Sequence, residues 1–259
     1  MPRVVAIHSY RGGTGKSNLT ANLAATVARY GHRVAIVDTD LQSPGIHVLF
    51  GLNGESVTQT LNDYLWDRCA IEEVAYDCTP ILYGDAAESS PVEGRGSLYL
   101  LPASICANEI ARILGEGYNV SRLNDGCRQL VKSMDLDYLF IDTHPGLSKE
   151  SFLSIVMANI LLLILRPDNQ DFQGTAVTVD VARQLHVRKM MLIVNKVLSC
   201  VDLDSLRDKV EQTYQVPVAG LFPLSEDMIH LGSGGLFCLR YPDHPLTETL
   251  KQVAKQILS

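Results

Sequence analysis

A glycine-rich run that follows a short apolar run constrains the fold of this chain more than any other feature. The residues after Val4 to His8 are Ser9-Tyr10-Arg11-Gly12-Gly13-Thr14-Gly15-Lys16-Ser17. Glycines let consecutive backbone N–H groups turn toward one anion, and the N-terminus of a following helix adds partial positive charge. Lys16 then supplies a cation for terminal phosphates, and Ser17 is placed to ligate Mg²⁺. The run therefore predicts a phosphate-binding loop, although Tyr10 stands where the regular pattern G-x-x-x-x-G-K-[ST] has glycine.

Short apolar runs recur along the chain, with amphipathic stretches between them. The runs are Val4 to Ile7, Val34 to Val37, Leu98 to Leu101, Tyr138 to Ile141, Ile160 to Leu165, Met190 to Val194 and Val216 to Phe222. Strands that are apolar on both faces suit a parallel sheet covered by helices on both sides. We therefore expect an α/β fold with a doubly wound, mostly parallel sheet flanked by helices, forming a single domain over residues 1–259. The irregular stretch Tyr76 to Gly96 is interpreted as a surface excursion.

Composition and charge limit the functional classes. The chain has 22 Lys and Arg against 29 Asp and Glu, a net charge of -7, so no overall basic field exists to attract nucleic acid. Its 6 cysteines show no C-x-x-C pair and no zinc-ligand spacing, which is typical of buried thiols in a reducing compartment. The longest apolar block, around Ile160 to Leu165, is far shorter than the ~20 residues that a membrane span needs. The sequence therefore predicts a cytoplasmic protein.

Several motifs, in a fixed order, resemble the ParA/MinD family of P-loop ATPases. The run from Arg11 to Ser17 resembles the family's deviant Walker A loop, x-K-G-G-x-G-K-[ST], except that arginine stands at the signature lysine. The other matches are Val37 to Gln42 with the end of the switch I strand, Leu139 to Gly146 with the Walker B strand and switch II, Val194 to Lys196 with the segment whose Asn reads adenine, and Leu221 to Pro223 with the proline turn near the base. The resemblance covers nearly the full length. It implies a P-loop NTPase of the SIMIBI class that binds ATP and Mg²⁺ and hydrolyses ATP.

The resemblance implies a role for each candidate site residue. In the candidate catalytic group, Lys16 holds the β- and γ-phosphates, Asp40 orients or activates the attacking water, and Arg11 takes the place of a lysine that reaches the partner's nucleotide across a dimer interface. Lys149 is a second candidate for that last task. The candidate nucleotide-binding residues are Gly12, Gly13, Thr14, Gly15, Lys16, Ser17, Asn18, Asn195, Lys196 and Pro223, and the candidate magnesium ligands are Ser17, Asp38 and Asp142.

Four further polar residues lie near these motifs. His144, between Thr143 and Pro145, is a possible general base, but the sequence identifies no partner for its ring, and we leave it outside the catalytic group. Gln170, Asp171 and Gln173 follow the run Ile160 to Leu165, and capping of a helix N-terminus accounts for them.

Family members use ATP-driven dimerisation to bind a surface, and a partner protein stimulates hydrolysis and release. The resemblance therefore implies a homodimer in the ATP state, an unidentified stimulating partner, and the positioning or partitioning of a cargo. A basic cluster is a candidate contact for non-specific DNA, and its members are Arg183, His186, Arg188 and Lys189. The terminal apolar stripe is interpreted as a helix packed on the core, and its members are Leu246, Leu250, Val253 and Ile257. These features favour the nucleoid over the membrane.

Other functions stay open at this point. One is a nucleotide-gated adaptor or scaffold with little hydrolysis, in which Arg11 slows turnover. Another is the delivery of metals or iron–sulfur clusters, in which Cys127 or Cys238 would meet its mate across a two-fold axis. A MinD-like membrane-binding ATPase is the third alternative.

Overall fold

The chain opens with the strand–helix–strand unit that its apolar pattern predicts. Strand β1 spans Arg3–His8, helix α1 spans Lys16–Arg29 and strand β2 spans Arg33–Asp38. The helix is followed by Gly31, whose φ of +92° lies in the left-handed region that favours glycine. This unit belongs to a computed structural model that describes residues 2–54, 56–84 and 94–259, without the side chains of Lys149 and Glu150.

The described residues that follow form further strands and helices. The strands are β3 (Tyr76–Asp77), β4 (Ser97–Leu101), β5 (Tyr138–Asp142), β6 (Ile160–Leu165), β7 (Lys189–Val197) and β8 (Val218–Pro223). The helices are α2 (Leu61–Leu65), α3 (Thr79–Tyr83), α4 (Ala107–Glu116), α5 (Val120–Ser133), α6 (Lys149–Met157), α7 (Asn169–Gln184), α8 (Leu203–Tyr214), α9 (Glu226–Leu231), α10 (Phe237–Arg240) and α11 (Pro245–Leu258). Short 3-10 helices lie at Ile46–Phe50 and Ile71–Val74.

The eight strands form one sheet in the order β3-β4-β2-β5-β1-β6-β7-β8. Every neighbouring pair is parallel except β3 with β4, which is antiparallel. The carboxyl ends of seven strands therefore meet at one edge, and the loop after β1 lies between those after β5 and β6. Open α/β sheets bind their ligands at this edge, where the strand order reverses.

Helices cover both faces of the sheet, and the strands are accordingly apolar on both sides. Val5 and Ile7 of β1 lie in a core with α1 and α11, whereas Ala6 between them lies in a second core with α6, α7 and α8. A third core, formed with α2, α4 and α5, contains Val37 of β2. Every residue of β5 and β6 is buried. The predicted α/β fold with a doubly wound, mostly parallel sheet is confirmed.

The structure adds detail to the stretch from Tyr76 to Gly96. Its first residues form β3 on the sheet edge and α3, which the sequence pattern did not predict. A strand of 2 residues is too short to show an alternating pattern. Residues 85–93 lie outside the described part of the chain.

Two observations concern the membrane. The terminal stripe on α11 is buried against α1 and β8, so the interpretation of this stripe as core packing is confirmed. Within residues 2–54, 56–84 and 94–259, no helix combines the length and the hydropathy that crossing a bilayer demands.

Candidate phosphate-binding site

The loop between β1 and α1 has the geometry of an anion site. Gly13 and Gly15 have φ angles of +78° and +90°, which a residue with a side chain rarely adopts. Gly15 directly precedes α1, so the helix N-terminus opens onto the loop. A cavity of about 370 Å³ lies above this N-terminus, and its lining includes Ser9, Gly12 to Asn18, Asp40, Ser43 and Pro145. Backbone N–H groups and a helix N-terminus that face one cavity favour a bound phosphate.

The ammonium group of Lys16 lies close to two carboxylates, one at the end of β5 and one just beyond the end of β2. Its Nζ is 2.7 Å from Oδ1 of Asp142 at the end of β5 and 3.9 Å from Oδ2 of Asp40. Thr20, one turn along α1, donates to the same Asp142 oxygen at 3.0 Å. Lys16 is 6% exposed, so its charge is matched inside the protein. The side chain therefore lies between the acidic pair and the loop that would hold the phosphates.

Two buried carboxylates lie side by side at the ends of β2 and β5, next to Lys16. Asp38 of β2 pairs in register with Asp142 of β5, and Asp38 Oδ1 accepts from the backbone N–H of Asp40 at 3.1 Å. Burial and the neighbouring Asp142 carboxylate raise the pKa of Asp38 well above its usual value. The second carboxylate oxygen of each residue is buried without a hydrogen-bond partner among the described residues. Two such oxygens fit a hard divalent cation.

These carboxylates suit a metal ion that takes only part of its ligands from the protein. No cluster of three or more His, Cys, Asp or Glu residues suited to holding a metal is found in the described ranges. Mg²⁺ is held through one or two protein oxygens together with water and substrate phosphates. Ser17 Oγ is 3.5 Å from Lys16 Nζ, the nitrogen that also contacts Asp142 at 2.7 Å. Two of the predicted magnesium ligands, Ser17 and Asp142, therefore contact the same nitrogen of Lys16, and the third, Asp38, pairs in register with Asp142.

Asp40 has a partner that the sequence did not identify. Nδ1 of His144 is 2.6 Å from Oδ1 of Asp40, which also accepts from the backbone N–H of Ser43 at 3.2 Å. The histidine that lacked a partner in the sequence therefore contacts one of the predicted catalytic residues. The only sequence feature that pointed to a role for His144 was its position two residues after Asp142, in the segment that resembles switch II.

A second cavity, of about 210 Å³, adjoins the loop on the side of β7 and β8. Its lining is mostly apolar and includes Gly15, Asn18, Leu19, Asn195, Lys196, Pro223, Leu224, Met228 and Ile229. Asn195, Lys196 and Pro223 therefore line one cavity, and Gly15 and Asn18 are shared between the two cavities. A flat aromatic ring suits a cavity with apolar walls and a few polar groups.

Asn195 and Lys196 also hold the glycine-rich loop itself. Asn195 Nδ2 donates to the carbonyl of Thr14 at 2.7 Å, and Lys196 Nζ donates to the carbonyl of Gly13 at 2.8 Å. A Cβ on Gly15 would lie 2.5 Å from Asn195 Nδ2, so glycine is required there by contact as well as by φ. These two side chains join the base cavity to the phosphate loop.

Arg11 points away from the phosphate cavity. Its guanidinium hydrogen-bonds Gln170 and lies 3.9 Å from Asp168 and 3.8 Å from Asp171, at the N-terminus of α7. Asp168 caps that helix by accepting from the backbone of Gln170 and Asp171. The N-cap of α7 is therefore Asp168. The side chains of Gln170 and Asp171, which the sequence suggested for capping, contact arginines instead. The side chain of Lys149, the alternative cation, lies outside the described part of the chain.

Tyr10, which replaces the glycine of the regular loop pattern, packs on a glycine of α7. A Cβ added to Gly174 would lie 1.9 Å from Tyr10 Cδ1 and 2.2 Å from its Cγ. The ring therefore needs a helical position without a side chain. Loop and helix are matched at this contact, which explains how the deviant loop accommodates a bulky residue.

We expect Gly174→Ala to destabilise the protein by about 1–3 kcal/mol, because the added methyl group overlaps the Tyr10 ring. Replacing a helical glycine by alanine otherwise stabilises a protein by about 1 kcal/mol. Gly115→Ala in α4 is the matched control, since a Cβ there meets nothing within 4 Å. Urea unfolding measures both changes, and adding Tyr10→Ala should remove the penalty of Gly174→Ala. Equal effects of the two glycine substitutions would contradict the contact.

The cysteines named for cluster delivery are enclosed in the core. Cys127 and Cys238 are buried, and burial raises the pKa of their thiols to about 12 and about 11. Neither thiol is at the surface of the single chain, where a partner's cysteine could reach it. Cys106 and Cys200 are exposed, and they follow the carboxyl ends of β4 and β7.

The basic cluster lies at the sheet edge opposite the glycine-rich loop, where β7 begins. Arg183 donates to the carbonyl of Tyr214 at 2.5 Å, and Lys189 donates to the carbonyl of Gln256 at 2.6 Å. His186 and Arg188 are exposed. Half of the predicted DNA contact is therefore engaged with the protein's own backbone.

A family model described as ParA, NUBPL iron-transfer P-loop NTPase, matches residues 1–258. An uncharacterized ATP-binding protein of Methanocaldococcus jannaschii is 25% identical over 260 residues, which is 100% of this chain and 88% of the relative. The cytosolic Fe-S cluster assembly factor Nubp2 homolog of Drosophila pseudoobscura is 24% identical over 271 residues, 99% of this chain and 96% of the relative.

Solved structures show the same fold. The cell division ATPase MinD of Pyrococcus furiosus has a TM-score of 0.80 at 21% identity, covering 100% of this chain and 99% of that chain. The septum site-determining protein MinD of Pyrococcus horikoshii, complexed with Mg-ADP, has a TM-score of 0.78 at 19% identity, covering 99% and 96%. At these identities the likeness concerns the fold.

Proposed function

The chain belongs to the ParA family of P-loop NTPases, and from this premise we propose that it is an ATPase that dimerises with ATP. In the proposal, residues 1–259 form one P-loop ATPase domain that binds and hydrolyses ATP with Mg²⁺ and positions a cargo on a surface. The observation that carries it is the contact of Lys16 with Asp142 and Asp40 at the mouth of the glycine-rich loop. A cation and carboxylates around an anion site are the groups that phosphoryl transfer requires.

Each part of the site has a task in this reaction. The loop backbone and Lys16 hold the β- and γ-phosphates, while Ser17, Asp38 and Asp142 would hold Mg²⁺ directly or through water. The cation supplies charge neutralisation on the phosphate oxygens. Asp40, 3.9 Å from Lys16 at one oxygen, orients the attacking water beside the terminal phosphate. Asn195, Lys196 and Pro223 border the cavity for the base.

Arg11 would act in the dimer. Its contacts at the N-terminus of α7 are at 3.8 and 3.9 Å, and its side chain is 41% exposed. Asp168 is partly exposed, and the buried Asp171 keeps its bond to Arg166 at 3.0 Å when Arg11 leaves. Releasing the partly exposed guanidinium for a partner's phosphate therefore costs about 0–1 kcal/mol. The planar guanidinium would then bridge phosphate oxygens.

The first test is size-exclusion chromatography with light scattering on the wild-type chain, with Mg²⁺ and either ADP or ATP. We expect a dimer with ATP, a monomer with ADP, and slow phosphate release that a partner would accelerate. An oligomer that forms equally without nucleotide would contradict the proposal. ATP-dependent dimerisation without phosphate release would instead indicate an adaptor.

The same dimer separates the possible surfaces. Retention on non-specific DNA would indicate nucleoid positioning, and retention on anionic liposomes would indicate a MinD-like role. The acidic net charge of -7 makes DNA binding depend on a local patch that dimerisation completes.

Iron–sulfur delivery is the second candidate, because the matching family model is described as an iron-transfer NTPase and a curated relative as an Fe-S cluster assembly factor. In this chain it would depend on the exposed Cys106 and Cys200, which follow strands whose carboxyl ends meet at the loop edge. Anaerobic reconstitution with iron and sulfide, with Cys106→Ser and Cys200→Ser as controls, would give cluster absorbance that both substitutions remove.

A further inference from the structure

His144 joins the segments that follow two neighbouring strands. Asp40 lies two residues beyond β2 and His144 two residues beyond β5, and their side chains meet at 2.6 Å between Nδ1 and Oδ1. Asp40 is 7% exposed, whereas the His144 side chain is 25% exposed. The contact therefore fixes a nearly buried carboxylate from a position on the rim of the cavity.

Hydrogen-bond accounting assigns the direction of this bond. An ionised carboxylate only accepts hydrogen bonds, so Nδ1 carries the hydrogen and donates it to Asp40. The same oxygen, Oδ1, accepts from the backbone N–H of Ser43 at 3.2 Å. Two donors on Oδ1 leave Oδ2 as the oxygen on the side of Lys16, at 3.9 Å from its Nζ. The carboxylate is thereby held with one oxygen anchored and the other turned toward the phosphate loop.

The histidine is itself held from both sides. Thr143, which precedes it, donates through Oγ1 to the carbonyl of Ile7 at 2.9 Å. Gly146, two residues later, donates its backbone N–H to the carbonyl of Ser9 at 3.0 Å. Both acceptors lie at the end of β1, where the glycine-rich loop begins. The position of the His144 ring, and through it that of the Asp40 carboxylate, therefore depends on the position of that loop.

We infer that His144 is a positioning residue for the reaction, which holds the Asp40 carboxylate through Nδ1 so that its other oxygen faces the attacking water. This inference rests on the proposed function, because Asp40 needs a fixed orientation only if it directs a water. Asp40 lies beyond the end of β2, without a strand to restrict its side chain. Orientation of a reacting group accounts for a substantial part of enzymatic rate enhancement.

Three substitutions at His144 distinguish the roles of the two ring nitrogens. In His144→Asn the side-chain amide nitrogen occupies the place of Nδ1, whereas in His144→Gln it lies closer to the place of Nε2. Hydrogen bonds to charged groups contribute enough that we expect kcat to fall about 30-fold in His144→Ala. KM for ATP should stay within about threefold, because His144 does not contact the phosphates in this proposal. His144→Asn should recover most of the lost turnover, and His144→Gln should not.

Several results would overturn the inference. Recovery by Gln instead of Asn would assign the function to Nε2, and unchanged kcat in His144→Ala would leave the ring without a role in turnover. An equal loss of ATP affinity in all three variants would make His144 a nucleotide ligand.

A readout independent of hydrolysis separates this inference from the proposed function. Nitrogen-detected NMR of the histidine ring in the full chain should show hydrogen on Nδ1, and Asp40→Ala should shift that resonance. A wild-type chain without ATPase activity would refute the proposed function. A His144 ring with hydrogen on Nε2 alone would refute the positioning contact, whatever the activity.

Discussion

Replacing Lys16 by alanine is expected to abolish measurable nucleotide binding. Its ammonium group is the cation at the loop, 2.7 Å from Asp142, and the phosphates would take its place among these charges. Each charge-assisted hydrogen bond to a phosphate is worth about 1.5–3 kcal/mol, so losing two weakens ATP by at least about 100-fold. Calorimetric titration with ATP and Mg²⁺ measures the change directly.

The matched control for this variant is Lys196→Ala. Lys196 also contacts the loop, at the carbonyl of Gly13, but from the exposed side of the base cavity. We expect its removal to weaken ATP by about tenfold or less, since a single partly solvated contact is lost. Urea unfolding should accompany both variants, because Lys16→Ala leaves the buried Asp142 without its cation. A folded Lys16→Ala protein that binds ATP within about threefold of wild type would refute the site.

Replacing Asp40 by alanine is expected to trap an ATP-bound dimer. The carboxylate is placed to direct water and not to hold the nucleotide, so ATP and Mg²⁺ should still bind while hydrolysis slows by about 100-fold or more. Phosphate release gives the rate, and light scattering after size exclusion gives the mass of the complex with ATP.

The isosteric variant Asp40→Asn separates charge from shape. Its side-chain oxygen still accepts from His144 and Ser43, whose contacts with Asp40 Oδ1 are at 2.6 and 3.2 Å. If the negative charge directs the water, Asp40→Asn should be slowed as strongly as Asp40→Ala. Normal hydrolysis by a monomeric Asp40→Ala protein would show that this residue has no part in the mechanism.

The parts of the site that the sequence predicted are those encoded locally. The glycine-rich loop between a strand and a helix is continuous in the chain, and β1, β2 and β5 each show an apolar run that ends at a polar residue. The family resemblance assigned Asp38, Asp40 and Asp142 to one site, and parallel strands that share one edge allow these residues to lie there. In the structure Asp40 lines the phosphate cavity, Asp142 contacts Lys16, and Asp38 pairs in register with Asp142.

The contacts that the sequence did not predict join distant segments. His144 and Asp40 are 104 residues apart, and Arg11 and Gln170 are 159 apart. Such pairs depend on the strand order, which places β5 beside β2 and β6 beside β1. Apolar periodicity reports which face of a strand is buried, but it carries no information on which strand is its neighbour. The same limit hid the bonds of Asn195 and Lys196 to the loop.

Those two residues make the ends of a bound nucleotide interdependent. Asn195 and Lys196 border the base cavity and, through the carbonyls of Thr14 and Gly13, also fix the backbone that surrounds the phosphates. A base that shifts either side chain therefore changes the affinity of the loop for the phosphates. By the same coupling free energy, phosphates that shift the loop change the affinity of the cavity for the base. The affinities of the separate nucleotide fragments will not sum to that of the whole molecule, since one rigid unit recognises both ends.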